Sequence, residues 1–460
     1  MTYEDVTPAE DPVNPAIFRE YDIRGIVDKD LSEEVVRDIG RAYGTVICKN
    51  GLRNVTVGRD GRLSSERFQK ALIEGILETG CNVTDVGLCP TPLLYFSIFH
   101  LQKDGGVQVT GSHNPPEFNG FKLCVGKETI HGEAIQGLKK IIEARDFTSG
   151  TGSLFSFPII PAYLHYIKQN ISLKRPLKVV IDAGNGTGGL VAPDLFRYFG
   201  CEVTELYCEV DGRFPNHFPD PTIPENLGDL IKLVTSKRAD FGVGYDGDAD
   251  RLGVVDEKGN ILFGDRLLIL FARQILKANP AAAVIGEVKC SQTLYDDIAK
   301  NGGRPIMWKA GHSLIKSKLR EEKALLAGEM SGHIFFADRY LGFDDAIYSS
   351  LRLAEIVAQS ERPLSELLSD VPKTFSTPEI RVPCPDESKF AVVERVKEYF
   401  QARYKTIDID GVRIVFDDGW GLIRASNTQP VLVLRFEALS AERLDEIRNL
   451  VEGKLKELTG

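Results

Sequence analysis

The chain has 460 residues, 43% hydrophobic and 27% charged, a balance that fits a globular protein and excludes disordered and fibrous classes. That length predicts about three domains, with two to four all compatible. A formal net charge of −10 without a long basic run argues against a nucleic-acid surface, so any cations serving an anionic ligand must be gathered locally.

The eight cysteines form no C-x-x-C pair and mostly sit in apolar company, which predicts buried reduced thiols ahead of disulfides or zinc. The acidic start MTYEDVTPAEDP does not read as a signal peptide, and no apolar run reaches the ~18 residues of a membrane span. A soluble, cytoplasmic protein with no membrane partner is expected.

Short β-branched runs alternate with helical patterns along most of the chain, predicting α/β domains with parallel or mixed sheets. Val55-Thr56-Val57 leads through a Gly-Arg-Asp-Gly turn into a helix over 64–79. Next comes VTGSHNPPEFNGFK, Val109 to Lys122, where Gly111 and the Pro115-Pro116 pair shape a loop carrying Ser112 beside His113, with Lys122 following. That arrangement reads as a nucleophile with proton-transfer partners. Gly150 to Ser153 reads as a linker. Val179 to Ile181 then leads into GNGTGG, residues 184–189, and a helix over 190–199. The glycine run matches a dinucleotide fingerprint, with Glu205 downstream, but no hydride chemistry accompanies it, so it reads as a tight strand-to-helix turn.

Phe241 to Val243 opens onto YDGDADR. Residues two apart on an extended strand end point the same way, so Asp246, Asp248 and Asp250 are expected to converge on a hard divalent cation. An EF-hand is rejected because Arg251 stands where its glycine belongs and a strand precedes the loop. Asp256 to Asn260 is a candidate hinge. Farther on, Ala310-Gly311-His312-Ser313 and Gly328-Glu329-Met330-Ser331-Gly332-His333 are Gly-flanked polar loops, and Glu329 and Ser331 can address adjacent sugar hydroxyls. Three of the seven histidines, 113, 312 and 333, fall in such loops rather than in apolar segments.

After a third candidate hinge at 371–377 the pattern changes to a helix over 389–404, short alternating strands at 413–416 and 431–436, and a helix over 441–458. Between two of the apolar segments lies Arg424-Ala425-Ser426-Asn427-Thr428, suited to phosphate oxygens. Arg24 (in REYDIRG), Arg251 and Lys289 add cations.

In this order, TGSHNP, DGDADR, GEMSGH and RASNT resemble the loops of the α-D-phosphohexomutase superfamily, in particular its phosphomannomutase/phosphoglucomutase branch; the likeness runs from about Phe18 to the C-terminus. Ala249 departs from the more usual glycine. The resemblance implies four domains around a central cleft: three similar α/β domains with mixed sheets and a smaller C-terminal α+β domain. Expected limits are 1–153, 154–257, 258–371 and 372–460.

The resemblance also implies a phosphoserine at Ser112, with Mg²⁺ held by Ser112, Asp246, Asp248 and Asp250. His113, Lys122, Arg251 and His333 are its candidates for proton transfer or electrostatic support. Tyr21, Arg24, Lys289, His312, Glu329, Ser331, Arg424, Ser426, Asn427 and Thr428 are expected to bind substrate. The implied reaction interconverts hexose 1- and 6-phosphates through a hexose 1,6-bisphosphate that reorients in the cleft. Small sugar phosphates are the expected partners, and a monomer the expected state. A phosphoglucosamine mutase and a non-catalytic sugar-bisphosphate binder remain the alternatives, Met330 favouring the mannose/glucose branch.

Overall fold

The computed structural model describes residues 13–427 and 429–459, so Thr428 lies outside the described residues. Four sheets follow one another along the chain. The first is built on Asn54–Arg59, with Asn82–Leu88 and Gly105–Val109 parallel to it on either side. Phe118–Val125 then turns back antiparallel along Gly105–Val109. The second sheet repeats the plan: Lys178–Asp182 pairs in parallel with Glu202–Leu206 and Phe241–Tyr245, and Leu252–Asp256 returns antiparallel. In the third, Ala283–Glu287 lies parallel to Arg304–Trp308 and Leu326–Gly328, and Ile334–Phe336 returns antiparallel.

This repetition positions the site. In each sheet one strand has a parallel neighbour on one side and, on the other, the antiparallel strand that follows it in sequence. The loop leaving that strand carries Ser112 in the first sheet, the three aspartates in the second, and Glu329 with His333 in the third. Ligands of α/β sheets gather at the carboxyl ends of strands where the topology switches. Three switch points therefore face one cleft.

Strand pairing carries two sheets past the expected domain limits. Leu154–Ser156 pairs with Asn82–Leu88 in the first sheet, and Ile261–Leu262 pairs with Leu252–Asp256 in the second. Asp256 to Asn260 is consequently the turn of a hairpin, not a hinge. The Asp256 carboxylate accepts the backbone N–H groups of Lys258 and Asn260, which closes the turn.

The fourth sheet is antiparallel throughout and packs on the helices Lys389–Gln401 and Ala441–Thr459. Its own core includes Val396, Phe400, Ile414, Leu434 and Phe436, all buried. It docks on the third unit through Arg413, a fully buried guanidinium lying 3.8 Å from the Trp420 ring centroid. Arg413 donates to the carbonyls of Val288 (2.7 Å) and Cys290 (2.9 Å). None of the eight cysteines is disulfide-bonded, and among the described residues no helix is long and apolar enough to cross a membrane.

Candidate active site

Ser112 is 2% exposed and sits at φ +50°, in the left-handed region that strains a residue with a Cβ. Its Oγ donates to Asp246 Oδ2 at 2.8 Å and lies 3.1 Å from His113 Nδ1. What holds the loop in this shape is Arg62. Its guanidinium, fully buried, donates to four loop carbonyls: Ser112 (2.8 Å), Asn114 (2.6 Å), Pro115 (2.7 Å) and Phe118 (3.0 Å). Asp60 completes the cradle by accepting from Arg62, from Thr110 Oγ1 at 2.8 Å and from Ser65. The Gly-Arg-Asp-Gly turn is thus the floor of the Ser112 loop.

Asp246, Asp248 and Asp250 are all 0% exposed, with ligand oxygens within 4.8 Å of one another. The convergence expected from sequence is present, but strand alternation is not its cause. The strand ends at Tyr245, and the aspartates occupy a turn in which Ala249 has φ +58°. Asp246 Oδ1 closes that turn by accepting the N–H groups of Asp250 (3.0 Å) and Arg251 (3.1 Å). The glycine run at 184–189 braces the turn from behind, as Thr187 N–H donates to the Gly247 carbonyl at 3.0 Å. A Cβ on Gly186 would meet Gly247 backbone atoms at 2.7–3.0 Å, so only glycine permits this approach.

Lys122 reaches the cluster and bonds Asp248 at 2.7 Å and also Asp250. Burial disfavours charge on Lys122, yet Asp248 and Asp250 outweigh it and hold the ammonium above its usual range. Burial followed by repulsion from Asp248 and Asp250 pushes Asp246 up. One ammonium against three carboxylates leaves an excess matching a divalent cation. Asp248 Oδ1 and Asp250 Oδ1 are buried without a hydrogen-bond partner. Hard oxygens left unsatisfied at this spacing fit a small divalent ion.

A row of imidazoles crosses to the third sheet. Arg251 Nε donates to His333 Nε2 at 3.0 Å, and His333 Nδ1 faces Asp344 Oδ2 at 3.1 Å. His312 stacks on His333 with ring centroids 5.5 Å apart, and Asp344 is anchored by Lys316 at 2.9 Å. Burial, then Arg251 and Arg24, drives His113 well below the usual imidazole range. Burial and Lys316 do the same to His312.

In the third unit, Glu329 Oε1 accepts the Gly311 N–H at 2.7 Å. Gly311 has φ +130°, and a Cβ there would strike the Tyr21 ring at 2.6 Å. Tyr21 joins three units: its hydroxyl donates to the Ala310 carbonyl at 2.8 Å and accepts from Asn427 Nδ2. Arg424 bonds Asp410 at 2.9 Å and is 6% exposed, while Lys289 bonds Glu379 at 3.1 Å. Ser426 caps its own loop by accepting the Gln429 N–H at 3.1 Å, and Ser331 is half-buried.

The cations grouped together in the sequence divide in space. Lys289 and Arg424 influence one another across the third and fourth units. Arg24 instead donates to Asn114 in the Ser112 loop at 2.6 Å, and Arg251 joins His333. Two groups of cations thus result, and Glu329 acts electrostatically on a member of each, Arg251 and Lys289.

All four domain models of phosphoglucomutase/phosphomannomutase match: alpha/beta/alpha domain I over residues 15–149, domain II over 161–259, domain III over 263–375 and the C-terminal domain over 379–454. The chain belongs to the phosphoglucomutase/phosphomannomutase family. It is 50% identical over 453 residues to a phosphomannomutase/phosphoglucomutase of Pseudomonas aeruginosa, covering 98% of both chains. It is 47% identical over 438 residues to a phosphoglucomutase of Neisseria gonorrhoeae, covering 94% of this chain and 95% of the relative. A crystal structure of a phosphoglucomutase/phosphomannomutase family protein from Burkholderia thailandensis superposes with a TM-score of 0.93 at 44% identity, covering 97% and 98% of the two chains. As a member of this family, the chain is an enzyme of the isomerase class.

Within this phosphoglucomutase/phosphomannomutase fold, sequence reading missed Arg62, Asp60, Lys316 and Asp344. The first pair had a faint signal in the charged turn Gly58 to Arg62 directly after a strand. Lys316 and Asp344 had none, being ordinary charges on a helix and in a loop.

Proposed function

We propose that the chain interconverts hexose 1-phosphate and hexose 6-phosphate of mannose and glucose, with Ser112 as the phosphate carrier. The observation that carries this reading is the position of Ser112 Oγ. It lies 2.8 Å from Asp246 beside unsatisfied carboxylate oxygens, with Arg24 bonded to its own loop and Glu329, Lys289 and Arg424 supplied by the third and fourth units. The named activities of relatives near 50% identity support the substrate class.

In the proposed cycle, phosphoserine 112 gives its phosphoryl group to the free hydroxyl of a bound hexose monophosphate. The P–Oγ bond breaks, a P–O bond to the sugar forms, and the hydroxyl proton is released to the site, yielding hexose 1,6-bisphosphate. Ser112 then recovers the other phosphate once the sugar has reversed. Asp246, Asp248, Asp250 and the Ser112 group would hold Mg²⁺, which when bound offsets charge on the transferring phosphoryl group. Lys122, kept protonated by its two aspartates, stabilises the same charge. His113, next to Oγ, and His333 are the groups proposed to move protons.

Lys289, Arg424, Ser426, Asn427 and Thr428 would grip the remote phosphate, and Arg24 and His312 the nearer contacts of the sugar phosphate. Glu329 and Ser331 accept two adjacent hydroxyls, which tolerates either orientation of the ring. Eight unpaired thiols accord with a reducing cytoplasm. The proposed working state is a monomer.

Ser112→Ala is expected to abolish turnover in a coupled assay with glucose and mannose 1-phosphates while sugar-phosphate binding by calorimetry persists. Near-wild-type activity would remove the covalent route. Dialysis against a chelator should likewise abolish turnover, with Mg²⁺ restoring it; activity indifferent to the chelator would exclude the metal.

A further inference from the structure

Behind the site, at the seam of the first and third units, lies a cavity of about 340 Å³. That volume falls in the ~300–1,000 Å³ range of small-molecule pockets. Its walls are apolar and aromatic, with Tyr95 and Phe99 from the helix Thr91–His100, Leu319 from the helix His312–Glu321, and Phe343.

Four cations line it, Lys127, Lys316, Arg320 and Lys323, and no carboxylate does. In a chain of net charge −10 this is a local reversal of sign. Two of the four are committed: Lys316 pairs with Asp344 at 2.9 Å and Arg320 with Glu128 at 3.2 Å. Among the described residues, Lys127 and Lys323 have no carboxylate at ion-pair distance, and the Lys127 ammonium rests 4.7 Å from the Phe99 ring centroid.

None of the residues proposed to hold the sugar phosphate lines the cavity. Two buried side chains on its wall, Tyr95 and Lys316, lie with the ammonium 4.1 Å from the ring centroid, and it is through Lys316 that the wall meets Asp344. The Tyr95 hydroxyl is buried without a hydrogen-bond partner.

We propose that this cavity is a second binding site, separate from the sugar-phosphate cleft. It would take a small organic anion with an aromatic or branched apolar body and a carboxylate, sulfonate or phosphate-ester head. The body fills the aromatic slot, and Lys127 and Lys323 hold the charge.

The test uses anilinonaphthalene sulfonate as the probe, followed by its fluorescence on the intact native protein. Expected is one probe per chain, with binding unchanged by saturating glucose 1-phosphate. Affinity should fall about tenfold or more in Lys127→Glu/Lys323→Glu, the reversal of two exposed charges. Ala337→Trp, which fills the cavity instead of recharging its rim, should abolish the same signal, and it decides the matter if the charge variant does not fold. Equal affinity in the folded variants, or displacement of the probe by glucose 1-phosphate, would overturn the proposal.

Discussion

At Ser112 two demands compete. The loop must place Oγ against Asp246, and it does so by forcing a side-chain-bearing residue to φ +50°. Ser112→Ala and Ser112→Gly both remove the hydroxyl and differ only in the Cβ. The glycine variant should therefore be the more stable of the two inactive proteins, by about 1 kcal/mol in denaturant unfolding. Arg62 gives a second contrast. A lysine in its place supplies one ammonium where four carbonyls and Asp60 now share a planar fork. Arg62→Lys is expected to lower kcat about 10- to 100-fold with little change in KM, because the loop is misplaced and not the sugar. An unchanged kcat would mean that the loop holds its shape without the guanidinium. Ser112 and the aspartates could be read from short motifs since each motif is one contiguous turn. Arg62 left only the faint trace of a charged turn, as its four acceptors are carbonyls, which carry no side-chain signature.

At the scale of elements, the helix Ala346–Gln359 begins on a buried acid. Asp345 caps it by accepting the Tyr348 N–H at 2.8 Å, and its other oxygen receives the hydroxyls of Tyr163 (2.7 Å) and Tyr340 (2.6 Å). Burial nonetheless outweighs these three donors and pushes the carboxyl up to about 6. Its ordinary value is about 3.9. Between the two values the folded state keeps a proton that the unfolded chain has lost. This contribution is therefore fully present below about pH 4, falls away as pH rises toward 6, and is flat above it. Asp345→Asn keeps the cap and should remove that slope from unfolding midpoints measured across the interval. An unaltered slope would assign it to other groups. Strands and helices were largely legible because apolar periodicity encodes them. The spacing of the three aspartates misled, because a turn with one left-handed residue produced the convergence credited to a strand.

Across the whole molecule, contacts between the fourth unit and the others join residues far apart in the chain. Tyr21 and Asn427 meet although 406 positions separate them, and Lys289 meets Glu379. Neither pairing has a local signal. Tyr21→Phe removes one hydroxyl from the junction of three units. A KM for glucose 1-phosphate raised about 3- to 10-fold, as expected for a hydrogen bond of about 1 kcal/mol, would show that this junction positions the units for substrate binding. An unchanged KM would mean that the junction does not contribute to binding. The repeated sheet plan has a further consequence, for inheritance. The proposed phosphoryl carrier, metal turn and hydroxyl-reading loop each rest on a separate scaffold at the same topological position. His333 ties the third to the metal turn, whereas among the described residues no side-chain hydrogen bond of Glu329 or Ser331 does. Substitutions at these two positions would therefore retune the third and leave the first two in place, so new sugar preferences could evolve around an unchanged reaction.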